Sequence, residues 1–82
     1  MQLSIVTPEK ELFNDEISLI QLPGIDGSFE ILENHAPIIS SLNQGQIKVI
    51  DQNNKSHLFE ISGGVIECNQ NTVIVLVETE KK

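Results

Sequence analysis

Apolar residues recur along this chain with a period of two. In Gln2-Leu3-Ser4-Ile5 and again in Gln46-Ile47-Lys48-Val49 every second side chain is hydrophobic, the signature of a strand with one dry face. Residues that break regular structure punctuate the pattern: Pro8, Asn14-Asp15, Pro23-Gly24, Asp26-Gly27, Asn34, Gly45, Asp51 through Asn54, Gly63-Gly64 and Asn69 through Asn71. The gaps between them leave no room for a long helix. They predict strands near 2–6, 16–22, 28–32, 37–42, 46–51, 56–61, 64–68 and 72–78, and regular short strands with turn signals point to a sandwich or barrel. Asp51-Gln-Asn-Asn-Lys55 reads as a solvated hairpin tip, because Asn and Asp tolerate left-handed backbone and bond their own chain.

Two segments depart from strict alternation. Ile17 through Leu22 and Val73 through Val77 carry apolar residues on both faces of a strand. Each predicts a strand covered by the core on one side and by something else, such as a second protein, on the other. Glu80-Lys81-Lys82 reads as a frayed polar end.

Composition narrows the picture. Eighty-two residues make one domain, 1–82, near the lower limit for a core without staples. The chain is 39% hydrophobic but has only three Phe and no Trp or Tyr, so Ile, Val and Leu must build the core. Twelve acidic against five basic residues give a formal charge of −7, the wrong sign for a nucleic-acid backbone or an anionic membrane surface. The single Cys68 can close no intrachain disulfide, which suits a reducing compartment. The N-terminal residues lack the basic and apolar regions of a signal peptide. The longest apolar run, Val73 to Val77, is five residues, against the roughly 20 that a spanning helix requires.

Candidate chemistry is sparse. His35, His57 and Cys68 lie 22 and 11 residues apart, which is no metal-ligand spacing. A Cys–His pair could still meet in space, although a lone cysteine in a strand usually serves as a small core hydrophobe. Ser62-Gly63-Gly64 lacks the lysine and the helix of a phosphate-binding loop and reads as a tight strand-to-strand corner, where glycine supplies positive φ or close backbone approach. Asp26, Glu30 and Glu33 gather around one stretch of sequence with no apolar pocket signal, so they read as a solvated acidic rim rather than a catalytic carboxylate pair.

The stretch Leu22-Pro23-Gly24-Ile25-Asp26-Gly27-Ser28-Phe29-Glu30-Ile31-Leu32-Glu33-Asn34-His35-Ala36-Pro37-Ile38-Ile39 resembles the signature of the epsilon-subunit family of F-type ATP synthases. Asp26-Gly27, Ile31-Leu32, His35-Ala36-Pro37 and Ile38-Ile39 match it in order and spacing. Val6-Thr7-Pro8-Glu9, Gly45, Ile61-Ser62-Gly63-Gly64-Val65-Ile66-Glu67 and Asn71-Thr72-Val73 through Val77-Glu78-Thr79 extend the similarity over nearly the whole chain. The family's glycine before Ile-Leu is Glu30 here, and its Pro-Gly before His is Glu33-Asn34.

The resemblance implies an all-β fold, a small antiparallel β-sandwich of about eight to ten short strands, similar also to the mitochondrial delta subunit. It implies a non-catalytic rotor subunit, bound to the gamma subunit and the membrane c-ring on the cytoplasmic face of a bacterial inner membrane, with no catalytic residue, metal or cofactor. By matched position, Thr7, His35 and Ser40 resemble residues facing gamma, and Asp26, Gly27 and Ser28 resemble the loop that reaches the c-ring. Typical bacterial members continue into a helical hairpin beyond this point. A form as short as this chain is expected to lack that hairpin and its nucleotide site, leaving rotor coupling alone. Two other classes compete: a stand-alone β-sandwich adaptor module, for which aromatic binding platforms are nearly missing, and a small hydrolase using Cys68 with a histidine, which requires an exposed, reactive thiol.

Overall fold

The computed structural model describes residues 1–79 and consists of eight strands: β1 (Gln2–Val6), β2 (Glu11–Gly24), β3 (Gly27–Leu32), β4 (Ile38–Leu42), β5 (Gly45–Asp51), β6 (Ser56–Ile61), β7 (Gly63–Asn69) and β8 (Thr72–Glu78). The expected end at Glu80 to Lys82 lies outside the described residues.

Strand β2 belongs to both layers of the sandwich. Its first part pairs with β1 from Glu11 to Glu16, and β1, β8, β7 and β4 follow as neighbours to complete the first sheet. Its second part, from Ile17 onward, pairs with β5 on one side and β3 on the other, and β6 extends this second sheet beyond β5. At its far end Gly24 sits opposite Leu42 of β4, so the strand crosses from one edge of the first sheet to the other. All pairs are antiparallel except β1 with β8, where Leu3 faces Val73 and Ile5 faces Val75 in parallel register.

The sequence reading began this strand at residue 16, with Asn14-Asp15 as a turn. In the structure Asn14 is a ladder residue opposite Ser4. The edge of β1 offers backbone partners that outweigh the turn preference of Asn, and Asn14 also accepts from Gln2 Nε2 and donates to Glu11. The segment Ile17 to Leu22 carries apolar residues on both faces, as expected, with Leu19 half-buried on the outer face opposite Leu32 and Ile50. A register shift between Ile17 and Leu19 advances the alternation by one residue, so Ile17, Ile20 and Leu22 are all fully buried. In β8 the run also puts side chains on both faces: Val73, Val75 and Val77 point inward, whereas Ile74 and Leu76 are 42% and 55% exposed.

Between the sheets lies a core of Leu3, Ile5, Ile17, Ile20, Leu22, Ile31, Ile47, Val49, Ile66, Val73 and Val75, every one with no exposed surface. Each such side chain contributes roughly 1.5–3 kcal/mol relative to solvent exposure. Where the first part of β2 and strand β6 form the two sheet edges on one side, an aromatic seam closes the gap. Phe13 meets Phe59 at 5.9 Å and His57 at 5.1 Å between ring centroids, both edge to face.

His57 is held in this seam by Asp51, whose Oδ2 lies 2.8 Å from His57 Nε2. Asp51 Oδ1 accepts from the backbone N–H groups of Asn53 (2.8 Å) and Lys55 (2.9 Å), folding the β5–β6 loop in which Asn54 has φ 65°. The loop is a hairpin turn as expected. Its first residue is not a solvated tip, however, but a buried carboxylate that organises the loop from within. The His57 contact, followed by the backbone donors, holds the Asp51 carboxyl below its ordinary range.

At the β6–β7 corner the two glycines do different things. A Cβ on Gly64 would stand 2.3 Å from the Leu76 carbonyl oxygen, whereas one on Gly63 would be 3.7 Å from the Leu42 carbonyl oxygen, an ordinary contact. Close approach, not positive φ, is the requirement, and it falls on Gly64 alone. Gly64→Ala is therefore expected to cost about 1–3 kcal/mol in denaturant unfolding, while Gly63→Ala stays within about 1 kcal/mol. Asp51 generates a pH prediction. Because its folded-state pKa is depressed, the stability it supplies is present above the ordinary aspartate range and is lost as the pH falls through the depressed value. In acid titrations of thermal stability, Asp51→Asn is expected to melt below the parent at neutral pH and to converge with it as the pH falls through the depressed value.

Candidate functional site

The residues marked by sequence are distributed over different parts of the sandwich. Strands β2 and β3 form a hairpin whose tip is Ile25-Asp26, with Gly24 opposite Gly27. Gly27 has φ 123°, a conformation that side chains rarely adopt, and a Cβ on Gly24 would lie 2.6 Å from the Gly27 carbonyl oxygen and 2.7 Å from the Phe29 ring. Both glycines are needed for so tight a reversal. Asp26, Gly27 and Ser28 are exposed there, and neither the Asp26 carboxylate nor the Ser28 hydroxyl has a bonding partner among the described residues. Ile25 stands beside them at 60% exposure. It was missed in the sequence because an isolated aliphatic residue in a turn carries no periodic signal.

His35 lies in the loop between β3 and β4, at the opposite end of β3 from Asp26. Its N–H donates to the Leu32 carbonyl at 3.2 Å, closing the turn. Its Nδ1 is 2.7 Å from the Ala36 carbonyl oxygen. A carbonyl can only accept, so Nδ1 carries the proton and Nε2 is left available. The imidazole thus braces the step into Ala36-Pro37 and still keeps one ring nitrogen for a partner.

Asn71, which sequence reading assigned only to a turn, pins this loop. Gln70 and Asn71 have φ 51° and 61°, the two left-handed positions of the β7–β8 hairpin turn. From there the Asn71 side chain accepts from the N–H of Asn34 (2.9 Å), itself at φ 62°, and donates to Glu33 Oε2 (2.9 Å). The Met1 ammonium also reaches Glu33 Oε2 at 2.9 Å and Glu16 Oε1 at 3.2 Å. Asn71 first, and the ammonium second, hold the Glu33 carboxyl below its ordinary range. The acidic rim expected from sequence is therefore not one cluster: Glu33 joins this network, Glu30 accepts from Gln21 at 3.1 Å, and Asp26 is at the other end of the strand.

Thr7 and Ser40 occupy other places. Thr7 Oγ1 accepts from the N–H groups of Glu9 (3.2 Å) and Lys10 (3.1 Å), capping the turn between β1 and β2. Ser40 is half-buried and shares the inward-facing phase of β4 with Ile38 and Leu42. Thr7, His35 and Ser40 are thus not gathered into one patch. Thr7 follows Val6, whose row runs through Leu76 and Val65 to Ser41 in β4, three strands away.

What the structure does gather is an apolar outer face on the first sheet. Val6, Leu76 and Val65 lie side by side in one row; Ile74, Glu67 and Ile39 do so in the next. Cys68, by contrast, points inward opposite Ile38 and Val73 with 1% of its surface exposed, and burial pushes its thiol pKa up. That is the reverse of an activated nucleophile. Among the described residues no group of three or more His, Cys, Asp or Glu side chains could hold a metal, and no helix is long and apolar enough to cross a membrane.

Comparison with known proteins agrees with this architecture. The family described as ATP synthase, delta/epsilon chain, beta-sandwich domain matches residues 1–81. The chain is 36% identical to the ATP synthase epsilon chain of Chlorobium limicola, over 94% of its own length and 88% of the relative's. It is 38% identical to that of Desulforamulus reducens, over 99% of its length but 61% of the relative's. Among solved structures, a chain of the Tetrahymena thermophila mitochondrial ATP synthase central stalk and c-ring superposes with a TM-score of 0.79 at 26% identity, covering 95% of this chain and 63% of that one. A chain of the Euglena gracilis mitochondrial ATP synthase gives 0.86 at 21% identity, over 92% and 48% respectively, and shares the fold. The buried thiol supplies a simple check on the site description: Cys68 in the native protein is expected to resist a thiol-labelling reagent at neutral pH and to react stoichiometrically once the chain is unfolded.

Proposed function

This chain belongs to the ATP synthase delta/epsilon chain family through its β-sandwich domain, and from that membership we propose that it is a non-catalytic subunit of the rotor stalk, joining the gamma subunit to the membrane c-ring during ATP synthesis. The observation that carries the reading is the family match over nearly the whole chain, residues 1–81. The protein then works in a proton-translocating complex at the membrane. In a bacterium this places it on the cytoplasmic face of the inner membrane, held there by its partners.

The geometry suits a mechanical connector. Torque passes through an interface only if neither side shears, and a closed sandwich with a fully buried aliphatic core deforms little on binding. Contacts for two partners are available at separate places. The Asp26-Gly27-Ser28 tip is narrow, exposed and stiffened by two obligatory glycines, properties that suit insertion among the polar loops of a c-ring. The braced His35 loop, with Nε2 unused, and the adjoining strand that carries Ser40 suit gamma, with Thr7 as the third candidate contact.

Co-purification of the chain with gamma and the c-ring tests the reading. A stable complex is expected. His35→Ala is expected to weaken retention of gamma several-fold with the ring contact intact, and Asp26→Lys to weaken the ring contact with gamma retained. Failure of the parent chain to associate with either partner under any condition returns it to the class of stand-alone sandwich modules.

A further inference from the structure

On the outer face of the first sheet, Ile39 is 74% exposed, Leu76 55%, and Val65 and Ile74 42% each. The register makes them contiguous. Leu76 is directly opposite Val65 and Val6, and Ile74 is one row below on the same strand. Isolated exposed aliphatic residues need no explanation, whereas a joined patch on a small monomer marks a surface that something covers.

Inside this patch stands one carboxylate. Glu67 is directly opposite Ile74 on one side and Ile39 on the other. It has no hydrogen bond or ion pair among the described residues. The outward glutamates of the second sheet are treated differently. Glu30 faces Gln21 and accepts from it at 3.1 Å, and Glu60 faces Gln46 and accepts from it at 3.0 Å. Glu67 alone of these three has two isoleucines for cross-strand neighbours. An apolar cover over Ile39 and Ile74 would take water from that carboxylate and leave it unpaired unless the cover carries a cation. Among the described residues no cation pairs with Glu67: Lys48 and Lys55 are on the other sheet and its loop, and Lys10 is in the turn between β1 and β2, so a cation for Glu67 is sought on the partner.

Taking the stalk role as given, we propose that gamma docks on this face with an apolar segment that presents a single arginine or lysine to Glu67. The chain's charge of −7 draws a locally basic partner, and Glu67 fixes its register. The His35-Ala36-Pro37 loop leads directly into the strand that carries Ile39, so the patch continues the gamma contact suggested above.

Binding of the full chain to immobilised, purified gamma subunit tests this, with thermal melting of each variant as a check on folding. Glu67→Gln is expected to weaken binding roughly 30-fold or more, since the partner's cation is left buried and unpaired. Glu67→Lys is expected to abolish binding, and Leu58→Lys, on the outer face of the second sheet, to leave it unchanged. Parent-like binding by folded Glu67→Lys overturns the docking assignment while leaving the stalk role standing, whereas no binding by the parent chain overturns the stalk role itself. Sedimentation of the free chain covers the remaining occupant: a dimer that Ile39→Lys disrupts without affecting gamma binding assigns the face to a second copy and also overturns the proposal.

Discussion

The sandwich closes because one strand hydrogen-bonds in both of its sheets. Strand β2 gives its first part to β1 and its second to β3 and β5, and the register shift between Ile17 and Leu19 lies where the two parts meet. A regular ladder would have turned Ile20 and Leu22 outward. The extra residue reverses the alternation, so that both enter the core together with Ile17. The same strand ends at Gly24, against β4 at the far edge of the first sheet. The remaining open side needs only the seam of Phe13, Phe59 and His57, with Asp51 beneath it.

From this closure follows a division of labour between ends and faces. The hairpin tip at Asp26 extends a strand pair rooted in the core, and its precision comes from backbone constraint at Gly24 and Gly27 rather than from side-chain bonds. The His35 loop is fixed the other way, by a network of side chains in which Asn71 reaches from a different hairpin to hold Glu33 and Asn34. One of these two loops is thus stiff by covalent geometry and the other by hydrogen bonding. The broad outer face of the first sheet has neither device; its character is apolar surface around one carboxylate. A connector between two large partners can use all three kinds of surface, because each is supported by the same undeformable core.

Much of this was legible in the chain itself. The period-two pattern and the spacing of Gly, Pro, Asn and Asp located eight strands to within a few residues, because alternation and turn chemistry are local properties. The inward direction of Cys68 and the tight corner at Gly63-Gly64 followed from the same reasoning, although which glycine was indispensable did not. The extension of β2 back to Glu11 was hidden, since only a paired edge makes Asn14 and Asp15 into strand residues. Buried Asp51 was hidden too: in sequence it is one more polar residue in a polar loop, and its value depends on His57 and two backbone donors converging on it.

The sequence by itself determined the class of fold, the positions of the strands and turns, and the motif Asp26-Gly27 through His35-Ala36-Pro37 that points to the family, since each is a statement about residues near one another along the chain. Tertiary structure alone decided which of those residues meet. Asn71 comes to Glu33 and Asn34, Phe13 to His57, Gly64 to the Leu76 carbonyl, and Glu67 to a place between Ile39 and Ile74. Cross-strand neighbours are set by register and closure, which are properties of the whole sheet, and no local pattern of side chains encodes them.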